Sequence, residues 1–207
     1  MTIRRALISV HDKTGIVDFA RELGKLEIQM IATNGTLKIL KKGGIRFVKH
    51  VSDVTEFPEI LGGRVKTGHL KLIGGILALR DKKEHLDELE KLGIKTIDIV
   101  VCNLHPFDPP INREVDLNSA LANIDIGGSN LIRAAAKNFE NVVVIANPNR
   151  YGHVLQELKK KGDISFETRA ILAREAFKET ARYDSTIYRF LKKRSLENAR
   201  AIISKKP

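Results

Sequence analysis

The sequence predicts an α/β fold, a parallel sheet covered by helices and followed by a purely helical segment. Short β-branched runs, among them Ala6-Leu7-Ile8-Ser9-Val10 and Val142-Val143-Val144-Ile145, recur through the first two thirds of the chain. Amphipathic stretches of helical period separate these runs, the alternation that yields parallel sheets. After Pro148 the strand signal stops and only helical patterns remain. The division expected is an α/β unit at 1–147 with a helical segment, 148–207, packed on it.

In chain order, residues 5–10 read as a buried first strand. Asp12 or Thr14 is placed to cap a helix running to about Leu23, where Gly24 ends it. Residues 28–32 form the second strand, followed by Thr33-Asn34-Gly35-Thr36 and a helix to about Lys42. Gly43-Gly44 breaks that helix, and residues 46–51 read as a third strand. From Ser52 to Ile76 the glycine-rich pattern predicts irregular chain, the kind of long loop that is usually functional. A charge-paired helix over 81–92 leads to a strand at 97–102 and the loop Asn103-Leu104-His105-Pro106-Phe107-Asp108-Pro109-Pro110. Helices around 117–122 and over 130–138 precede a last strand at 142–146. Three helices are expected beyond it, at about 150–161, 167–178 and 182–193, with fraying after Ser195.

Composition narrows the function classes. A chain of 207 residues with 43% hydrophobic residues can bury a core unaided. Aromatics at 5% and the absence of Trp weigh against base-stacking platforms. Cys102 is the single cysteine, so neither an internal disulfide nor a Cys-rich zinc site is available. The six histidines show no ligand spacing, and no metal is expected. The apolar run ending at Val10 is too short for a membrane span or signal peptide, which predicts a cytoplasmic protein without a membrane partner. The formal charge is +11, concentrated after residue 150. That excess fits a solvated helical face or a phosphorylated ligand, and nucleic acid has no other support.

In an open parallel sheet, ligands bind beyond the carboxyl ends of the strands. Ser9–Gly15, Thr33–Thr36 and Asn103–Phe107 all fall there. Thr33-Asn34-Gly35-Thr36 before a helix reads either as a phosphate cradle or as an ordinary capped turn. Asp125, between Ile124 and Ile126 and ahead of Gly127-Gly128, reads equally as a desolvated carboxylate or an N-cap. Lys66 and Lys137 read as ammonium groups serving chemistry or as surface cations. Cys102 lies in an apolar strand and reads as an inert core residue. Neither a P-loop nor a dinucleotide fingerprint is present, which counts against ATP hydrolysis and NAD chemistry.

Six segments taken in order carry a resemblance over roughly Arg5 to Leu191. They are Ser9-Val10-His11-Asp12-Lys13-Thr14-Gly15, Thr33-Asn34-Gly35-Thr36, Gly63-Arg64-Val65-Lys66-Thr67, Asn103-Leu104-His105-Pro106-Phe107, Ile124-Asp125-Ile126-Gly127-Gly128 and Arg133-Ala134-Ala135-Ala136-Lys137-Asn138. Together they resemble the inosine monophosphate cyclohydrolase domain, the N-terminal part of the bifunctional purine biosynthesis protein. The resemblance implies a Rossmann-like sheet of the methylglyoxal-synthase-like type and a homodimer. It implies ring closure of the formamido-imidazole-carboxamide ribotide to inosine monophosphate, with loss of water and with no cofactor.

By match, Asp12, Lys13, Thr14, Thr33, Asn34, Gly35 and Thr36 would hold the ribose phosphate. Arg64, Lys66, Thr67, Cys102, Asn103, Asp125, Ile126 and Gly127 would surround the base. Lys137 would carry protons, with Lys66, Asp125 and His105 completing the catalytic set. The chain has His11 where the family typically has Ser, Asn34 where it has Gly, and His105 where its active-site Tyr stands. No transformylase domain follows, so a separate formylating enzyme is expected to supply the substrate. The competing expectations are a non-catalytic nucleotide-sensing domain of the same fold and methylglyoxal synthase.

Overall fold

The computed structural model describes residues 3–107 and 117–193. Five strands form one parallel sheet in the order β3-β2-β1-β4-β5. They are β1 (Arg5–Val10), β2 (Gln29–Ala32), β3 (Val48–His50), β4 (Ile99–Asn103) and β5 (Val143–Ile145). The two central strands are apolar almost throughout. Ala6, Leu7, Ile8, Val100 and Val101 are completely buried, as strands covered on both faces must be.

The helices are α1 (Ile16–Lys25), α2 (Asn34–Lys42), α3 (Val51–Thr55), α4 (Leu70–Leu77), α5 (Lys83–Lys91), α6 (Leu117–Ala122), α7 (Ile126–Lys137), α8 (Tyr151–Lys161) and α9 (Phe166–Lys193). From β1 the chain winds outward through β2 to β3, then returns to β4 and winds the other way to β5. Right-handed crossovers therefore put α1 and α2 on one face and α7 on the other. Accordingly α1 packs against α2 and α8, whereas α7 packs against α4, α9 and strand β4. The winding reverses between β1 and β4, the switch point at which such sheets form a crevice beyond the strands' carboxyl ends.

Several sequence expectations change in three dimensions. The third strand is shorter, and more than half of the stretch 52–76 is helical: α3 begins one residue before it, a 3-10 turn lies at Leu61–Gly63, and α4 ends one residue beyond it. Gly74-Gly75 does not break α4. A Cβ on Gly75 would stand 2.6 Å from the Lys95 carbonyl oxygen, so this glycine permits close packing. The expected pair of helices beyond Glu167 is the single helix α9. Glu179-Thr180-Ala181 contains no breaker, and the buried Thr180 hydroxyl is satisfied by donating to the Phe177 carbonyl at 3.1 Å. Helix α7 begins at Ile126, four residues earlier than expected, because Asp125 caps it.

Neither Asp12 nor Thr14 caps α1. The N-cap is Gly15, whose φ of 68° favours glycine, and the Tyr151 ring lies 3.5 Å from where a Cβ would stand. The expected loop through Asp108-Pro109-Pro110 and the fraying beyond Ser195 fall outside the described residues. Among the described residues, no helix is long and apolar enough to cross a membrane.

Candidate functional site

The carboxyl ends of β1 and β4 are bound together by one side chain. The Asn103 amide oxygen accepts the backbone N–H of His11 at 2.6 Å and that of Asp12 at 2.8 Å. Its NH2 group donates to the Asp12 carbonyl at 3.1 Å. Asn103 is thus a structural clamp whose polar atoms already have partners. It fixes the loop in which the Asp12 carboxylate accepts from the Thr14 N–H (2.9 Å) and hydroxyl (2.7 Å). Those Thr14 bonds are the leading reason the Asp12 carboxyl titrates below the usual carboxylate range.

Lys13 donates its ammonium to the Val10 carbonyl. Burial lowers its pKa; Asp12 opposes that shift, and the charge of Lys66 adds to it. Two cations therefore converge on the crevice, from the loop after β1 and from the segment before α4.

The β2 side contributes less side-chain chemistry than the sequence suggests. The Thr36 hydroxyl is fully buried, where it accepts from the Val10 N–H at 3.1 Å and donates to the Val10 carbonyl at 3.3 Å. It joins α2 to β1 and is withdrawn from any ligand. Thr33 is also buried, and its hydroxyl donates to that of Ser9 at 3.3 Å. What faces solvent is Asn34-Gly35 at the start of α2, where the first-turn N–H groups of a helix attract anions.

On the other side of the crevice, Asp125 settles as an N-cap. Its carboxylate accepts from the Gly128 N–H at 2.7 Å and from the His105 N–H at 3.3 Å, so one residue fixes both α7 and the loop after β4. Its own N–H donates to the Tyr183 hydroxyl at 2.7 Å. Thr67 is buried with its hydroxyl oxygen unpartnered, facing Gly127 so closely that a Cβ there would lie 2.3 Å away. This contact seats the segment bearing the exposed Arg64 and Lys66 on the first turn of α7, beside the exposed Ile126.

Two expected residues stand elsewhere. The Cys102 thiol is in the core, 3.7 Å from the Gly128 carbonyl, and burial pushes its pKa far up. This core position is the one its apolar strand predicts. Lys137 is the last residue of α7, about 17 Å along the helix axis from Ile126 at 1.5 Å per residue, and it is exposed. It stands at the end of α7 opposite the Asp125 cap.

The sequence reading also missed contributors. His11 stacks edge-to-face on His105, with ring centroids 4.4 Å apart. Tyr151 lies under Gly15 against Phe19, and Tyr183 reaches Asp125 from α9. The signal for His11 was its place directly after a strand. It becomes legible only once β1 and β4 are known to be neighbours.

A doubly wound sheet with cations, a capped helix and two imidazoles at its switch point defines a small-molecule site of the α/β class. The chain belongs to the MGS-like domain family, whose model matches residues 15–130. The model of the AICARFT/IMPCHase bienzyme family matches residues 135–206. Among similar proteins, the bifunctional purine biosynthesis protein PurH of Persephonella marina is 54% identical over 184 residues, covering 89% of this chain and 36% of that protein. PurH of Acetivibrio thermocellus is 52% identical over 191 residues, covering 92% and 37%. The chain thus spans little more than a third of the curated relatives it matches. The crystal structure of ForH superposes with a TM-score of 0.82 at 34% identity, over 89% of this chain and 95% of that one.

Proposed function

We propose that the chain closes the purine ring, converting the formamido-imidazole-carboxamide ribotide to inosine monophosphate as the cyclohydrolase part of purine biosynthesis. The observation that carries this reading is the convergence of Lys13, Lys66, His105 and Asp125 on the β1/β4 switch point. A nucleotide's phosphate would lie against Lys13 and the start of α2, where N–H groups and the helix dipole favour an anion. Its base would reach toward Lys66, Thr67, His105 and the first turn of α7.

The chemistry fits those groups. A carboxamide nitrogen is a weak nucleophile, and its target is a formyl carbon of the same molecule. Holding the two in near-attack geometry supplies much of the acceleration. The formyl oxygen gains negative charge on attack, which the Lys66 ammonium is suited to stabilise. Asp125 serves as a positioning residue, because both oxygens already accept backbone N–H groups. The formyl group comes from a separate domain or enzyme.

Two further readings belong to this proposal. The α/β unit ends near residue 147, and the helices after it serve as its cover. The active form is a homodimer, since Ile171, Phe177 and Leu191 on α9 remain 40–42% exposed. Adding the formylated ribotide to purified protein tests the function by the absorbance of the purine formed. Absence of turnover, with inosine monophosphate still bound, would favour a nucleotide-sensing domain instead. Light scattering at micromolar concentration tests the dimer, and an active monomer would remove it.

A further inference from the structure

The register Val10↔Asn103 places the ends of β1 and β4 side by side, so His11 and His105 emerge from adjacent strands into one crevice. Their rings meet at 4.4 Å between centroids with planes 69° apart. Both backbones are anchored, His11 by Asn103 and His105 by Asp125. The His105 Nδ1 lies 3.1 Å from the Pro106 carbonyl. A carbonyl only accepts, so Nδ1 carries the hydrogen and the neutral ring leaves Nε2 as a base.

We propose that His11 and His105 act together as an acid–base pair at this site, a deepening that rests on the ring-closing function proposed above. Both imidazoles stand beyond the adjacent ends of β1 and β4 and belong to the side-chain class that exchanges protons near neutral pH.

The groups facing His11 come from three elements. Asp12 and Lys13 share its loop, His105 extends from β4, and Asp125 caps α7. Burial, then His105 and Lys13, lower the His11 pKa, against the opposite pull of Asp12 and Asp125. That shift favours the neutral His11 ring, which can receive a proton, and two adjacent imidazoles disfavour holding two charges at once.

The proton balance suits such a pair. The carboxamide nitrogen bonds to the formyl carbon, and the C=O electron pair moves onto oxygen. One imidazole takes a proton from that nitrogen, and an imidazolium returns one to the oxygen, giving a carbinolamine. The formamido nitrogen then yields its proton to the pair as the C–O bond breaks. The hydroxyl departs as water with a proton from the pair, and a C=N bond forms. Two N–H protons end on the water, and the pair returns to its starting state.

The test is His11→Phe, which keeps an aromatic edge-to-face contact without a proton. Turnover of the formylated ribotide should fall on the order of 10²-fold, the usual scale of general acid–base catalysis. Inosine monophosphate affinity should stay within about threefold, and the double variant with His105→Phe should lose no more than His105→Phe alone, as residues acting as a unit do. Unchanged turnover in His11→Phe, or losses that multiply in the double variant, would overturn the proposal.

A second measurement needs no activity. In ring-proton NMR titrations of the free protein, His105→Phe should raise the His11 midpoint, since His105 is among the groups that lower it. A midpoint that does not move overturns the pairing whatever the activity. A moving midpoint in a protein that closes no ring overturns the proposed function, and with it the proton-transfer role.

Discussion

The backbone N–H of Asp125 donates to the Tyr183 hydroxyl at 2.7 Å, linking residues 58 positions apart. It joins the cap of α7 to the long helix α9, so the helical segment reaches into the frame of the crevice. Tyr183 also meets Phe107 in an edge-to-face contact with centroids 6.4 Å apart, and Phe107 in turn meets Phe190 at 5.4 Å. Through these rings α9 also holds the loop that carries His105.

Tyr183→Phe should therefore cost stability and activity together. It removes one partner of a half-buried bond and leaves the Asp125 N–H unpaired, a loss of about 1–3 kcal/mol. Urea unfolding measures the first effect and ribotide turnover the second. A variant as stable as the parent would mean that water replaces the hydroxyl without cost.

Lys66→Met should reduce turnover by about 10²-fold, well beyond its effect on product binding, because its charge meets an oxyanion formed only during reaction. Lys137→Met should leave turnover within about twofold if each site is built from one protomer. A loss at Lys137 equal to that at Lys66 would mean that a second copy supplies this residue.

Two glycines separate site effects from core effects. Gly127→Ala drives a Cβ against the Thr67 hydroxyl and should displace the segment bearing Lys66, weakening inosine monophosphate binding by about tenfold or 1.4 kcal/mol. Gly75→Ala drives a Cβ against the Lys95 backbone carbonyl and should cost about 1–3 kcal/mol of stability as overpacking, with affinity unchanged. Calorimetric titration and thermal unfolding of both variants distinguish the two effects.

Cys102 should resist alkylation by iodoacetamide at pH 8 in the folded protein and react fully in denaturant. Its thiol is buried and its pKa raised, so the reactive thiolate is scarce. Rapid labelling that nucleotide prevents would instead place the thiol in contact with the ligand.

Acid should weaken the junction between α8 and α9. Burial alone would raise the Glu157 pKa, but bonds from Ser165, Thr168 and Lys161 outweigh it and hold the carboxyl at about 2 rather than 4.5. With the folded pKa depressed, the unfolded chain binds the proton first. The stabilisation is complete above about pH 4.5 and is lost as pH falls toward 2. Urea midpoints measured between pH 5 and 2.5 should fall less steeply in Glu157→Gln than in the parent.

The sequence by itself determined the kind of fold and where its ligand loops lie. Strand β1 is legible because a strand buried on both faces must be apolar, and the polar runs after β1, β2 and β4 follow from the need to end such strands. It also carried the six segments that resemble the cyclohydrolase domain. Tertiary structure alone decided which of those residues meet. The strand order put β1 beside β4 and so paired His11 with His105, a contact that spans 94 residues and leaves no local pattern. Helix α7 runs back across the sheet to reach β5, which carries Lys137 away from the crevice that Asp125 helps to form. Thr36 and Cys102 have the chemistry of site residues, yet packing turned their side chains into the core. Sequence spacing records the type of group and its distance along the chain, whereas direction and long-range proximity arise only when the layers pack.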